Sequence, residues 1–153
     1  MNKIKKILCP FDFSETGKEA LDYVLQLASV NKSSIHLLHV LPQMNYYDWN
    51  TKIIYPLISD EFYKQEKDAT HKLMTQTIAG INKKYPSVRV SSEIVGNGMV
   101  SEVILQTAKK RKVNLIVMGS HGRKGIQRVF MGSDAEQILR HAPTDVIIYR
   151  KKK

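Results

Sequence analysis

A glycine-rich segment, Gly119-Ser120-His121-Gly122-Arg123-Lys124-Gly125-Ile126-Gln127-Arg128-Val129-Phe130-Met131-Gly132-Ser133, follows the apolar run Leu115-Ile116-Val117-Met118. Glycines at 119 and 122 permit a sharp turn whose amides face one concavity, the geometry of an anion nest. Gly132 and Ser133 open the next helical stretch, where unpaired N–H groups and the positive end of the macrodipole attract the same ligand. Arg123, Lys124 and Arg128 lie in the segment, and no acid does. Amides and cations converging in this way suit a chain of phosphates. Each part also has a plainer reading. Ser133-Asp134-Ala135-Glu136 fits a capping box, and glycines after a strand are ordinary turn residues.

The elements that must position this segment can be read from periodicity. Ile7 to Phe11 reads as a buried strand, and Ser14 caps a helix with Ala20, Leu21, Val24, Leu27 and Ala28 on one face. Ile35 to Leu41 is a second strand. Leu73, Met74, Thr77, Ile78 and Ile81 form a helical stripe that ends before Pro86. Val88, Val90 and Ile94 alternate with polar neighbours, as a half-exposed strand does. Val100, Val103, Ile104 and Ala108 mark a helix, Leu115 to Met118 a central strand, Ala135 to Ala142 a short helix, and Val146 to Tyr149 a last strand. Strand–helix alternation implies a parallel sheet with helices on both faces. Ligands of such sheets bind at the carboxyl ends of the strands, here after Phe11, Leu41, Val95 and Met118. Pro42 to Ser59 is long for a connection and carries Tyr46, Tyr47, Trp49 and Tyr55. Its aromatics either cover a ligand or partner, or pack on the sheet edge as extra core.

With 153 residues, 42% of them apolar, the chain is one domain, 1–153, with enough material for a core. The 24 Lys and Arg outnumber 14 Asp and Glu, a formal +10, which attracts polyanions without choosing among them. Lys109-Lys110-Arg111-Lys112 falls in the last turn of a helix, where cations complement the dipole, and reads as a solvated helix end. No apolar run approaches the ~20 residues of a membrane span. The apolar run at the start is too short for a signal-peptide core. A single cysteine forms no internal disulfide and favours a reducing compartment. A soluble, cytoplasmic domain is the expectation.

Competing motifs fail on context. Gly96-Asn97-Gly98 sits between a strand and a helix but lacks the acid that a dinucleotide fingerprint places about 20 residues on. Gly119-Ser120-His121-Gly122 follows a strand, whereas the clamp of a KH module joins two helices. No GxxxxGK[ST] occurs. His36 and His39 are three apart on a strand and face opposite sides, a poor geometry for one metal. His121 points either to solvent or to the phosphate loop. Cys9, among apolar neighbours and without a CxxC partner, reads as an inert buried thiol.

The spacing G-x2-G-x9-G-[ST], met by Gly119, Gly122, Gly132 and Ser133, resembles the nucleotide-binding signature of the ATP-binding branch of the universal stress protein family. Ile7-Leu8-Cys9-Pro10-Phe11-Asp12-Phe13-Ser14 is similar to that family's first strand and Pro-x-Asp turn. Leu37 to Val40 resembles its second strand, and Asn114 to Gly122 its Asp-Leu-Ile-Val-Met-Gly block. The resemblance implies an open twisted five-stranded parallel sheet, strand order 3-2-1-4-5, in a homodimer formed through the last strand. It also implies ATP as ligand. Asp12 would contact the ribose, the Val40 backbone the adenine edge, and Pro10 would shape the adenine pocket. Gly119, Gly122, Gly132 and Ser133 would carry the phosphates, and Arg123, by its charge in the same segment, is read as a further nucleotide contact. Three residues depart from the family pattern. Phe11 replaces a small residue and would stack on adenine or crowd it. Asp134 brings a negative charge to the phosphate end, and Asp145 replaces a frequent proline before the last strand.

Fast phosphoryl transfer needs a metal between phosphates and an oriented nucleophile. The strand 115–118 ends in glycine rather than an acid, and spacing gives neither Asp12 nor Asp134 a partner base. The expectation is an ATP-binding switch or sensor of a stress response, not a dedicated enzyme, with slow hydrolysis as a side reaction. A Mg²⁺ or Mn²⁺ bridging the phosphates would be mostly water-ligated. The alternative is a nucleotide-free dimeric interaction module of the same fold. A charge-driven nucleic-acid binder and a true phosphotransferase are further classes.

Overall fold

The computed structural model describes residues 3–41, 45–56, 59–120 and 132–150. Strand β1 (Lys6–Pro10) leads into helix α1 (Glu15–Asn31), and β2 (Ser34–Leu41) follows. A hairpin of β3 (Asn45–Asp48) and β4 (Ile53–Pro56) precedes the long helix α2 (Asp60–Lys84). Then come β5 (Arg89–Gly96), α3 (Val100–Arg111), β6 (Leu115–Gly119), α4 (Ser133–His141) and β7 (Asp145–Tyr149). The main sheet runs β5-β2-β1-β6-β7, all pairings parallel. Counted along the chain, its strands stand in the order 3-2-1-4-5.

Alternation along the strands divides the core in two. Ile7, Cys9, Ile35, Leu37 and Val117 meet Leu21, Val24 and Ala28 of α1 and Met74 and Ile81 of α2. Leu8, Leu38, Val40, Ile116 and Met118 face the other way, onto Ile104 and Ala108 of α3 and Ala135 and Ile138 of α4. Both faces are therefore covered, which is why the central strands carry continuous apolar runs. Full burial of an Ile or Leu side chain of this kind contributes roughly 1.5–3 kcal/mol. Asn114 secures the amino edge, since its Oδ1 accepts the N–H groups of Lys5 (2.9 Å) and Lys6 (3.0 Å).

Two expectations change. The stripe 73–81 is the carboxyl half of a helix that begins at Asp60, where the Ser59 hydroxyl accepts the Phe62 N–H at 3.2 Å. Within the segment 42–59, residues 45–56 form a hairpin, and its described aromatics Tyr47 and Trp49 are exposed. Its turn closes through Lys52 N–H to Asp48 O (2.8 Å), with Lys52 itself left-handed at φ 56°. Trp49 is 83% exposed and stands edge-on to Tyr47 at 4.9 Å. Neither ring fills the sheet edge. The side chains of Tyr46 and Tyr55 fall outside the described part.

Candidate functional site

The connections leave β1 and β6 in opposite directions: β1 continues through α1 to β2, and β6 through α4 to β7. A crevice at the carboxyl ends of these neighbouring strands is where such sheets take ligands. Asp12 stands there, two residues past β1. Its Oδ1 accepts the Ser14 N–H (3.0 Å) and the Ser14 hydroxyl (2.5 Å). The Ser14 Oγ in turn accepts the Gly17 N–H at 3.0 Å as the cap of α1. A Cβ at Gly17 would come within 2.7 Å of Asp12 Oδ1, so a glycine lets the helix start lie against the carboxylate. Phe13 between them is left-handed at φ 63°, a conformation that is strained for a bulky residue.

Pro10 ends β1 opposite Leu38 in register. Phe11 donates its N–H to Leu38 O (2.8 Å), and its carbonyl accepts from His39 Nδ1 at 2.7 Å. Its ring is 4% exposed, packs 4.7 Å from Phe13, and belongs to the core under α1 and α2. Val40 faces the other core, beside Met118. The Phe11 ring is thus committed to packing on the opposite face from Val40, and only its backbone borders the crevice. His36 and His39 likewise separate, His36 to Ser91 and Glu93, His39 to Phe11 and Phe13. Cys9 is fully buried, and desolvation with a smaller push from the Asp12 charge drives its thiol up to about 12. It stays neutral and inert.

On the β6 side, Gly119 is the last strand residue. A Cβ there would lie 3.0 Å from Thr16 Cγ2 and 3.3 Å from the Thr16 carbonyl oxygen. Close approach of α1 explains this glycine, not a left-handed turn, because among the described residues no glycine has positive φ. Ser120 donates its N–H to Tyr149 O (2.8 Å) and accepts the Gly132 N–H on its carbonyl (3.2 Å). That exchange brings the start of α4 back to the end of β6. Gly132 is the N-cap and has no side-chain cap bond, while Ser133 is already the first helical residue. The capping box read at Ser133 is therefore not formed, and the N-cap of α4 is a residue without a side chain.

Asp134 does something the sequence reading missed. Its Oδ1 accepts the Ser101 N–H at 3.2 Å, in the first turn of α3. The N-cap of α3 is Met99, which supplies no side-chain acceptor; that vacancy was the one available signal. Gly122 and Arg123 lie outside the described residues, as do His121, Lys124 and Arg128. Among the described residues no group of three His, Cys, Asp or Glu could hold a metal ion.

The sheet order and the reversal of its connections between β1 and β6 define a doubly wound α/β domain, a class that takes ligands at the carboxyl ends of its central strands. Residues 3–150 match the model of the universal stress protein family, and the chain belongs to that family. It is 27% identical over 158 residues to universal stress protein MJ0577 of Methanocaldococcus jannaschii, covering 97% of this chain and 96% of that one. The solved structure of MJ0577 superposes with a TM-score of 0.76 over 99% of each chain. UspA from Lactobacillus plantarum shares the fold at a TM-score of 0.80 and 22% identity, covering 98% of this chain and all of that one. A universal stress protein solved in complex with cAMP has a TM-score of 0.68 at 17% identity, over 97% of this chain and 98% of its own. No helix among the described residues is long and apolar enough to cross a membrane.

Proposed function

We propose that this chain is an adenine-nucleotide-binding regulatory protein that takes ATP at the carboxyl edge of its sheet and acts as a switch or sensor. The observation that carries this reading is the start of α4, a glycine N-cap tied by its N–H to Ser120 O at the end of β6, the strand next to the one that Asp12 follows. Free amides at a helix start hold phosphate oxygens, and the dipole adds to the attraction. The Gly132 and Ser133 region would take the phosphates with Gly119, Gly122 and Arg123. The Asp12 carboxylate, anchored to Ser14 at the end of β1, would receive the ribose hydroxyls. The Val40 backbone would meet the adenine edge, with Pro10 and the Phe11 backbone closing the pocket. Asp134 does not oppose the phosphates, because its charge is turned to the start of α3.

The cAMP complex of a fold relative supports an adenine ligand. The absence of an acid at the end of β6 supports binding over turnover. Strand β7 is half-buried and ends the sheet, which suits a homodimer through that strand. The neutral, buried Cys9 suits a cytoplasmic, reducing setting.

Thermal unfolding with ATP tests the reading. Ligand at 100 times its dissociation constant adds about 2.7 kcal/mol to stability, a Tm rise of roughly 5–10 °C for this size. Gly132→Val should abolish that rise without changing the ligand-free Tm comparably. Nucleotide released from the heat-denatured protein should appear by mass spectrometry. If ATP, ADP and AMP all leave Tm unmoved, the nucleotide-free interaction module is the better description.

A further inference from the structure

At the other end of the sheet, the amino ends of β1, β2 and β5 and the last turn of α3 line an open pocket of about 340 Å³. This size lies within the range of small-ligand sites. Its walls include Lys6, His36, Ser91, Lys110, Arg111 and Lys112, and no carboxylate. The nearest acid, Glu93, is already engaged by Arg111 at 3.0 Å and by His36 at 3.3 Å. Among the described residues, Lys6 Nζ reaches only the Arg111 carbonyl, at 3.4 Å. Among the described residues no carboxylate pairs with Lys6, Lys110 or Lys112.

The chain turns left-handed at Lys112, φ 50°, so the basic run ends by folding back toward Lys6 instead of continuing as a helix. The carboxyl end of α3 is the negative pole of its dipole, which draws these cations together. It does not neutralise them. Four cationic side chains around one concavity repel one another at short range. An oxyanion placed among them would relieve that repulsion and accept several charge-assisted hydrogen bonds. Arg111 gives one arm to Glu93 and keeps other N–H groups available.

We propose that this pocket is a binding site for a small multivalent oxyanion of the phosphate class, separate from the nucleotide crevice. The small volume favours a compact ligand; a nucleic-acid backbone would need an extended track of cations. The two sites lie at opposite ends of the strands, roughly 15 Å apart by strand rise. The inference does not depend on the nucleotide reading.

Calorimetric titration of the full chain with inorganic pyrophosphate at low salt tests it. Lys110→Gln/Lys112→Gln should weaken the site by about tenfold or more. Gly132→Val, at the other end, should leave it intact. Both lysines are exposed, so the double variant should keep the wild-type Tm. The His36 ring resonances should shift and saturate with the same titration. Unchanged affinity in the double variant overturns the proposal, as does an immobile His36 signal. Binding of a short DNA duplex that needs the same lysines and resists pyrophosphate competition also overturns it, in favour of a nucleic-acid surface.

Discussion

The carboxylate of Asp134, at the second position of α4, accepts the backbone N–H of Ser101 at the start of α3, 3.2 Å away and 33 residues earlier in the chain. One helix thus caps another, and the cap lies beside the proposed phosphate end. Both helices pack on the same face of the sheet, so the bond fixes the spacing of their amino ends.

Removing that acceptor has two separable readouts. Asp134→Ala leaves the N–H of Ser101, a buried residue, without its partner, at a cost of about 1–2 kcal/mol. Urea unfolding should register this as a lower midpoint at unchanged slope. ATP affinity should hold, because the Asp134 carboxylate serves the start of α3 and not the phosphates. A fall in affinity larger than the loss of stability would mean that Asp134 serves the ligand directly.

Ser14 links the α1 start to Asp12, accepting from Gly17 and donating to the carboxylate. Ser14→Ala should cost about 1 kcal/mol as a lost N-cap. It should also weaken the nucleotide-induced Tm rise, since Asp12 loses the hydroxyl's hydrogen bond and keeps the backbone one from Ser14. Ser14→Thr keeps the hydroxyl and should restore both. If Ser14→Ala lowers stability but leaves the nucleotide shift whole, Asp12 needs no positioning by this residue.

Much of this arrangement was legible in the chain, and what was not has physical reasons. The buried strands 7–10, 35–41 and 115–118 announce themselves because parallel strands covered on both faces are apolar throughout. The first half of α2 does not. Residues 60–72 are mostly charged, with Thr70 the only buried side chain among them, so no apolar stripe marks the turn-by-turn period. The hairpin escaped because its left-handed position is Lys52, where a glycine would have signalled a turn. Gly119 was picked out for the wrong property: its small size against Thr16 matters, a tertiary fact. The Asp134–Ser101 bond spans two helices, and no local pattern encodes it beyond the missing cap at Met99.

Acid should destabilise the fold in two stages. His36 is held below its ordinary value of 6.5, first by burial and next by the Arg111 charge. Its contribution is present above 6.5 and is lost as pH falls from there toward the folded value, because the unfolded chain takes the proton first. Glu93 is held below 4.5, chiefly by its hydrogen bond from Arg111. Its contribution is lost below 4.5, as pH falls through the folded value. Urea midpoints measured from pH 7.5 to 3.5 should show both limbs. Glu93→Gln should flatten the lower one. An unchanged acid profile in that variant would detach Glu93 from stability.

Tyr63 supplies the last prediction. Its hydroxyl is buried and has no hydrogen-bond partner among the described residues, and a Cβ at Gly96 would lie 1.8 Å from it. Burying an unsatisfied hydroxyl is unfavourable, so Tyr63→Phe should be neutral or stabilising by up to about 1 kcal/mol. Gly96→Ala alone should cost about 1–3 kcal/mol through overpacking against the phenol. In the Tyr63→Phe background the nearest atom becomes Cζ at 3.1 Å, and the same substitution should cost less. A double-mutant cycle by urea unfolding reads the difference as a coupling energy. Additive effects would mean that Gly96 is required for its backbone and not for the room it leaves the ring.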